Sequence, residues 1–338
     1  MHLLPFTRPL QVVLVALLAW AGSSGNSIAE TTLAPPDLHL KAAIEKTLRN
    51  QQEKAIPAAR AAREAEPQSR LAHWLEAQAI LVQSGQFKGL SKNDQDLLKE
   101  SEARLHRVPP GYLPRNILSF GRQLDIGRYL LLADLSVSRI YVFDISGSQP
   151  QMVREMYSSV GLAGAVKLRE GDRRTPIGVY RLLKEIKNPR ADGFLGDLAI
   201  TLDYPNAEDR RAKRTGSGIW IHGVPHEVHV RPPRSSDGCL AVSNADMLAL
   251  REYVDFAKTH IVIVPQAQWL SQETWAEESR KMLSAMDFPK GFGGNTGQAV
   301  FYISKDRPIV SIARQENRIT RAYWAHGQRR SPLLIEEL

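Results

Sequence analysis

The sequence predicts a multidomain protein, with a mainly-β central domain between an α-helical N-terminal module and a small α+β C-terminal module. Three observations carry this. Residues 37–107 are rich in Ala, Glu, Lys, Arg and Leu, with apolar residues at helical spacing. Residues 116–265 change to short runs of β-branched and aromatic residues separated by turn formers. Residues 266–338 open with a helical pattern and end in strand-like segments. At 338 residues, 43% hydrophobic and 24% charged, the chain is globular in composition. It is longer than one typical domain of about 100–200 residues.

Ahead of these zones stands MHLLPFTRPLQVVLVALLAWAGSSGNSIAE. Arg8 precedes an apolar run from Leu10 to Ala21, and small residues ending in Ser27-Ile28-Ala29 follow. That is the layout of a signal peptide over residues 1–29, with cleavage expected near Ala29. The run is shorter than the roughly 18 residues of a membrane span, although an uncleaved anchor is the alternative. The mature chain is therefore expected in the periplasm or cell envelope. A net charge of +8 suits acidic surfaces or polymers, with ordinary surface charge as the alternative. No Lys/Arg run is interleaved with aromatic residues as single-strand binding requires, so nucleic acid is not an expected partner.

In the first zone, Leu38–Leu48 and Ala72–Leu81 read as helices, with Pro57 and Pro67 expected to break the segment. The pattern is that of a tetratricopeptide-type α-hairpin without a second copy, hence a helical spacer or docking module. Pro109-Pro110-Gly111 and Pro114 mark a linker. In the second zone, Tyr129–Ala133 and Arg139–Phe143 form an expected hairpin about the turn Asp134–Ser138. Further strands are expected at Met152–Val160, Gly178–Leu183, Leu198–Leu202, Ile219–Ile221 and His260–Val264, with a helix over Asn244–Ala257. The third zone reads as a helix at Glu273–Met286, a Gly-rich loop at 291–297, and strands at Ala299–Ile303, Ile309–Ala313 and Thr320–Trp324.

The chemistry concentrates in IWIHG (219–223) and SSDGCLAVSN (235–244). An apolar strand delivers His222, and Gly223 follows it. Cys239, the single cysteine, comes seventeen residues later. A thiol is a strong nucleophile only as thiolate, and a neighbouring imidazole raises the thiolate fraction. The same imidazole can return a proton to a leaving amine. Gly238 permits close backbone approach, and the N–H groups of Asp237, Gly238 and Cys239 are candidates for an oxyanion pocket. Two other readings stand beside this one. A lone cysteine is often a buried small hydrophobe. His222, His226 and His229 with Cys239 suggest a metal site, but the spacing H-x3-H-x2-H matches neither a helical H-E-x-x-H nor a paired-cysteine pattern.

IWIHG followed by SSDGCLAVSN resembles the active-site motif of the L,D-transpeptidases, the YkuD-type catalytic domain. Upstream, GLAGAVKLREGDRRTPIGVYRL (161–182) resembles the second signature of that family, and Asp203-Tyr204-Pro205-Asn206 and Arg231-Pro232-Pro233 are similar to segments of one proteobacterial branch. The resemblance covers 116–265 and implies a sandwich-like fold. It implies Cys239 as nucleophile and His222 as its base, with Ser236, Asp237, Gly238 and Gly223 in the oxyanion and substrate-binding loop. The implied reaction acts on peptidoglycan tetrapeptide stems. D-Ala is released through a cysteine thioester, and a 3-3 cross-link or an attached wall protein results. Water in place of the amine gives an L,D-carboxypeptidase; an amidase that uses the same Cys239–His222 pair to cut an existing link to the third residue, and a non-catalytic wall-binding protein, are the alternatives. No metal or organic cofactor is required, and carbapenems are implied ligands. Asp237 replaces a histidine, and Ala241 a polar residue or arginine, of the commoner motif. Lys167, Arg173 and Arg174 are placed to meet an acidic stem, or to form a solvated loop. The N-terminal module resembles the accessory region of the same branch, where envelope proteins would dock. Residues 266–338 resemble a short, truncated SnoaL-like unit.

Overall fold

The structure is a computed structural model that describes residues 35–48, 51–87, 91, 94–120, 127–285, 298–315, 318–325 and 332–338. The expected signal peptide at 1–29 and Gly-rich loop at 291–297 lie outside these residues. Two compact units emerge from the fold. Of the described residues, one holds those up to Pro110 together with Glu227–Pro233, and the other those within Gly111–His226 and Arg234–Leu338.

Alanine shapes the helical unit. Helices α1 (Pro35–Leu48), α2 (Gln52–Ala65) and α3 (Arg70–Gln83) bury Ala43, Ala58, Ala59, Ala62 and Ala72 against Leu40, Ile44, Leu71 and Leu75. Leu97 and Leu105 of α4 (Gln95–Leu105) pack against this core. Pro57 was expected to break the segment, yet α2 runs through it. Its ring is exposed, and the four buried alanines at 55, 58, 59 and 62 hold the helix in place. Burial of that face offsets the roughly 3 kcal/mol that an interior proline costs. The chain does break around Pro67, where the Ser69 side chain caps α3 by accepting from the Ala72 N–H. Beneath the helices Arg104, 3% exposed, pairs with Glu100 at 3.1 Å and Glu66 at 3.6 Å. Burial pushes the Glu100 carboxyl up. His229, from the stretch 227–233, brings its Nε2 to 2.8 Å from Glu66.

The second unit starts with β1 (Leu113–Pro114) and β2 (Ile117–Phe120). Strands β3 (Tyr129–Asp134) and β4 (Arg139–Asp144) then form the expected hairpin, in register from Tyr129–Asp144 to Asp134–Arg139. Asp134 closes the turn by accepting from the backbone N–H and hydroxyl of Ser136. Next come β5 (Gln151–Tyr157), β6 (Val160–Gly161), β7 (Gly178–Lys187), β8 (Leu198–Leu202), α5 (Ala207–Arg211), β9 (Trp220–His222), β10 (Arg234–Ser236), β11 (Leu240–Ala241), α6 (Asn244–Leu250) and β12 (His260–Val264). Eight strands form one mixed sheet in the order β11-β9-β8-β7-β12-β3-β4-β5. Strand β7 pairs with β12 through Gly178–Arg181 and with β8 through Leu182–Lys187, with a bulge between Leu182 and Glu185. A bulge bends a strand and increases its twist, so the sheet curls into two halves about β7. Every residue of β4, β8 and β12 is buried, as in a strand covered on both faces. The helix expected over 244–257 stops earlier. It ends in a 3-10 turn at Arg251–Tyr253, and the Ala257 N–H bonds to Leu182 O, drawing the chain back to β7.

The C-terminal part adds β13 (Trp269–Leu270), α7 (Gln272–Ala285), β14 (Gln298–Phe301), β15 (Ile309–Gln315), β16 (Arg318–Trp324) and β17 (Leu334–Glu337). An antiparallel sheet runs β17-β16-β15-β14-β2, so strand 117–120 at the start of the second zone pairs with β14. Leu118, Val300, Tyr302, Ile309, Ala322 and Trp324 form its core, with Met282 of α7 against them. Arg321 ties this sheet to the eight-stranded one. It is 1% exposed, donates to Val179 O at 2.6 Å and Asp203 Oδ2 at 2.5 Å, and pairs with Glu336 at 2.7 Å. Glu336 also accepts from Tyr323 Oη and the Ala207 N–H. Despite burial, Asp203 and Glu336 hold the guanidinium firmly charged.

Removing one member of such a group strands the others without compensation. Arg321→Met is expected to cost about 3–5 kcal/mol of stability in urea denaturation. A loss under about 1 kcal/mol would show that the arginine does not anchor the sheet.

Candidate active site

Strand pairing brings the two halves of the candidate pair together. Strand β9 runs parallel to β11 with Ile221 opposite Leu240 and His222 opposite Ala241, and Val242 N–H bonds to His222 O. Cys239 directly precedes β11. Residues two apart in a strand share a face, so the alternation that sets Ala241 beside His222 carries Cys239 to the same face. On its other side His222 is paired with Ala199 of β8. Two alanines, both buried, therefore flank the imidazole and leave room for it.

His222 is 1% exposed. Its Nδ1 lies 2.6 Å from Gly223 O. A carbonyl only accepts, so Nδ1 carries a proton and Nε2 presents a lone pair in the neutral ring. Gly223 was expected in the substrate-binding loop. The structure instead uses its carbonyl to orient His222, while its N–H bonds to Leu198 O. A side chain there is excluded, because a Cβ would fall 2.2 Å from Asn244 Oδ1. Asn244 accepts from Val224 N at 3.0 Å and donates to Val224 O at 2.8 Å, fixing the backbone just after the histidine. Sequence reasoning treated Asn244 only as the start of a helix. Its signal was its place at the end of the cysteine motif.

Cys239 is half-buried, and its Sγ lies 3.3 Å from Gly218 O. The loop before it is stapled by Ser236, whose Oγ donates to Cys239 O at 2.6 Å and accepts from Gly238 N at 3.1 Å. Ser236 is 2% exposed. Its hydroxyl thus shapes the loop, and the Gly238 N–H, expected among the oxyanion donors, is spent on it. Gly238 has φ +130°, and a Cβ there would lie 2.7 Å from Arg174 O. Both constraints demand glycine. Asp237, by contrast, is exposed and makes no side-chain hydrogen bond or ion pair among the described residues.

The second motif folds against this loop. Strand β6 pairs with β10, and Leu162 N–H bonds to Ser236 O. Lys167, expected to meet substrate or to lie in a solvated loop, is 3% exposed and bonds Asp172 Oδ1 at 2.9 Å. Asp172 also accepts from the N–H groups of Leu168, Arg169 and Arg174. The pair is therefore an internal brace. Arg173 and Arg174 are exposed, and Arg174 Nη1 bonds Ala165 O.

His226 and His229 have separate carboxylate partners. His226 Nε2 lies 3.1 Å from Asp197, and His229 has Glu66 as described above. Among the described residues no three His, Cys, Asp or Glu side chains group as metal ligands would.

The model of the YkuD family, the L,D-transpeptidase catalytic domain, matches residues 128–264. No curated protein sequence matches the chain. Among solved structures, Bd1075 from Bdellovibrio bacteriovorus is similar at 20% identity and TM-score 0.51, over 67% of this chain and 99% of that one. The helical cell shape determining protein Pgp2 from Campylobacter jejuni has 17% identity and TM-score 0.47, over 65% and 94%. LdtMt1, an LD transpeptidase in complex with imipenem, has 19% identity and TM-score 0.27, over 40% and 59%.

Gly238→Ala forces its Cβ onto a backbone oxygen in a left-handed conformation and is expected to abolish alkylation of Cys239 at the native rate. Native-rate labelling by iodoacetamide would contradict this geometry. The Asp172 brace predicts acid sensitivity. Burial raises its carboxyl, but the Lys167 ammonium and three amides outweigh it and bring it to about 2. A lowered folded pKa gives stability present above the ordinary value and lost as pH falls from near 4 through 2. Hydrogen exchange at Leu168 and Arg174 is expected to accelerate across that window, beyond the intrinsic pH dependence, and Asp172→Asn to remove this excess.

Proposed function

With residues 128–264 a YkuD-family L,D-transpeptidase catalytic domain, we propose that the protein is a cysteine acyltransferase of the cell envelope that acts on peptidoglycan tetrapeptide stems. One observation carries the reading. Strand β9, which ends at His222, pairs in parallel with β11, which Cys239 directly precedes, and the Nδ1 of His222 bonds Gly223 O; this supports the Cys–His reading. That bond leaves Nε2 as the basic nitrogen.

In the proposed cycle Nε2 takes the Cys239 proton, and the thiolate attacks the carbonyl carbon of the third stem residue. The tetrahedral intermediate collapses with cleavage of the C–N bond. The imidazolium gives its proton to the departing D-alanine amine, and a thioester remains on Cys239. An acceptor amine then attacks the thioester carbon, passes a proton to Nε2, and the C–S bond breaks to regenerate the thiolate. The product is a 3-3 cross-link, or a wall-attached protein when the amine belongs to one. No step needs a metal or organic cofactor.

The test is mass spectrometry of products from disaccharide-tetrapeptide, with Cys239→Ala and His222→Ala beside the unmodified protein. Dimers lacking one D-alanine are expected, with a loss of at least 1,000-fold in each variant, on the order of what triad deletions cost. Tripeptide alone would make the enzyme a carboxypeptidase. A Cys239-dependent mass increase with a carbapenem is also expected. An unmodified mass together with no product would favour a wall-binding protein.

A further inference from the structure

Resting on the acyl-transfer reading above, we propose that Asp237 is the docking group for a cationic acceptor, a primary ammonium on a side chain of the second stem or protein. Three observations lead there. The first is exposure. Between buried Ser236 and buried Gly238, Asp237 alone projects into solvent, two residues before the nucleophile. A second is immobility of its backbone. The two Ser236 Oγ bonds, to Gly238 N and Cys239 O, tie the backbone before Asp237 to the backbone after it, so the base of its side chain is fixed. The third is its lack of a partner. Arg173, Arg174 and Arg234 are exposed on segments packed against this loop, yet none pairs with Asp237. In a chain with 44 Lys and Arg against 36 Asp and Glu, a carboxylate beside a nucleophile left open to an incoming cation is a specific arrangement.

The distances suit the task. Two residues span at most about 7 Å between Cα atoms, so Asp237 and Cys239 are close enough for one acceptor side chain to meet both. An alkyl ammonium, with an unperturbed pKa near 10.4, arrives charged. It must release one proton to solvent before its nitrogen can attack. A carboxylate that binds the ammonium also holds that proton, so its contribution belongs to capture of the acceptor. The expected signature is therefore in the acceptor KM with kcat little changed. Water carries no charge, and hydrolysis of the thioester gains nothing from Asp237.

The experiment compares Asp237→Asn and Asp237→Glu with the unmodified chain. Disaccharide-tetrapeptide serves as donor, and the acceptor is a stem peptide with a free side-chain amine or the same peptide N-acetylated. Asp237→Asn is expected to raise the acceptor KM about 5–10-fold with kcat within about twofold. It should also abolish the rise of KM with salt and shift products toward tripeptide. Asp237→Glu should restore most of the affinity. An unchanged KM in Asp237→Asn overturns the proposal, as does equal loss of D-alanine release and cross-linking, which marks a structural role in the loop. Absence of any thioester in the unmodified protein overturns both this proposal and the reaction on which it rests, and is distinguished by the missing D-alanine.

Discussion

The site depends on a backbone interaction, the parallel pairing of two very short strands. Strand β11 is two residues long and β9 three, yet their register decides where a thiol and an imidazole stand. A slip of one residue would send Cys239 to the opposite face of the sheet. The surrounding structure works to prevent that slip. Ser159 exchanges two backbone bonds with Ala241, the Val242 N–H holds His222 O, and Asn244 clasps Val224 from the start of α6. Side chains near Cys239 and His222 are largely spent on this alignment: Ser236 and Asn244 each donate to one backbone group and accept from another, and two glycines yield the space they need.

The same logic governs the charged groups. Lys167 and Asp172 neutralise each other inside the second motif. Arg321 gathers Asp203, Glu336 and Val179 O, joining the two sheets through a buried charge in place of an apolar face. Buried groups of this kind contribute less net stability than their number suggests, because desolvation opposes them. What they supply is a single accepted arrangement, since a displaced partner would leave a bare charge in the interior.

Much of this was legible in the sequence because it is local. The hairpin over 129–144, the strand delivering His222, and the helix at 272–285 follow from periodicity and turn residues within a dozen positions. The resemblance to the YkuD family, carried by the two motifs, agreed with the family match over 128–264. What was not legible depends on contacts distant in sequence. Strand 117–120 pairs with 298–301, and nothing near either segment announces the other. Pro57 reads as a breaker until the alanines around it are seen to be buried. Lys167 reads as a cation facing solvent or substrate until Asp172 folds back onto it. Gly223 reads as part of a loop, yet its carbonyl aligns the histidine only because Asn244, twenty-one residues later, lies against its Cα.

The allegiance of residues 227–233 bears on how the chain can be divided. They lie within the span between His222 and Cys239, yet they belong with the helices, where His229 meets Glu66. A sequence-based cut near residue 110 would separate the helices from a segment that the stretch between His222 and Cys239 lends to them. The helical unit is thus not an appendage joined at one linker. The chain enters it twice, and a fragment beginning at Gly111 would carry a seven-residue stretch whose structural partners had been left behind.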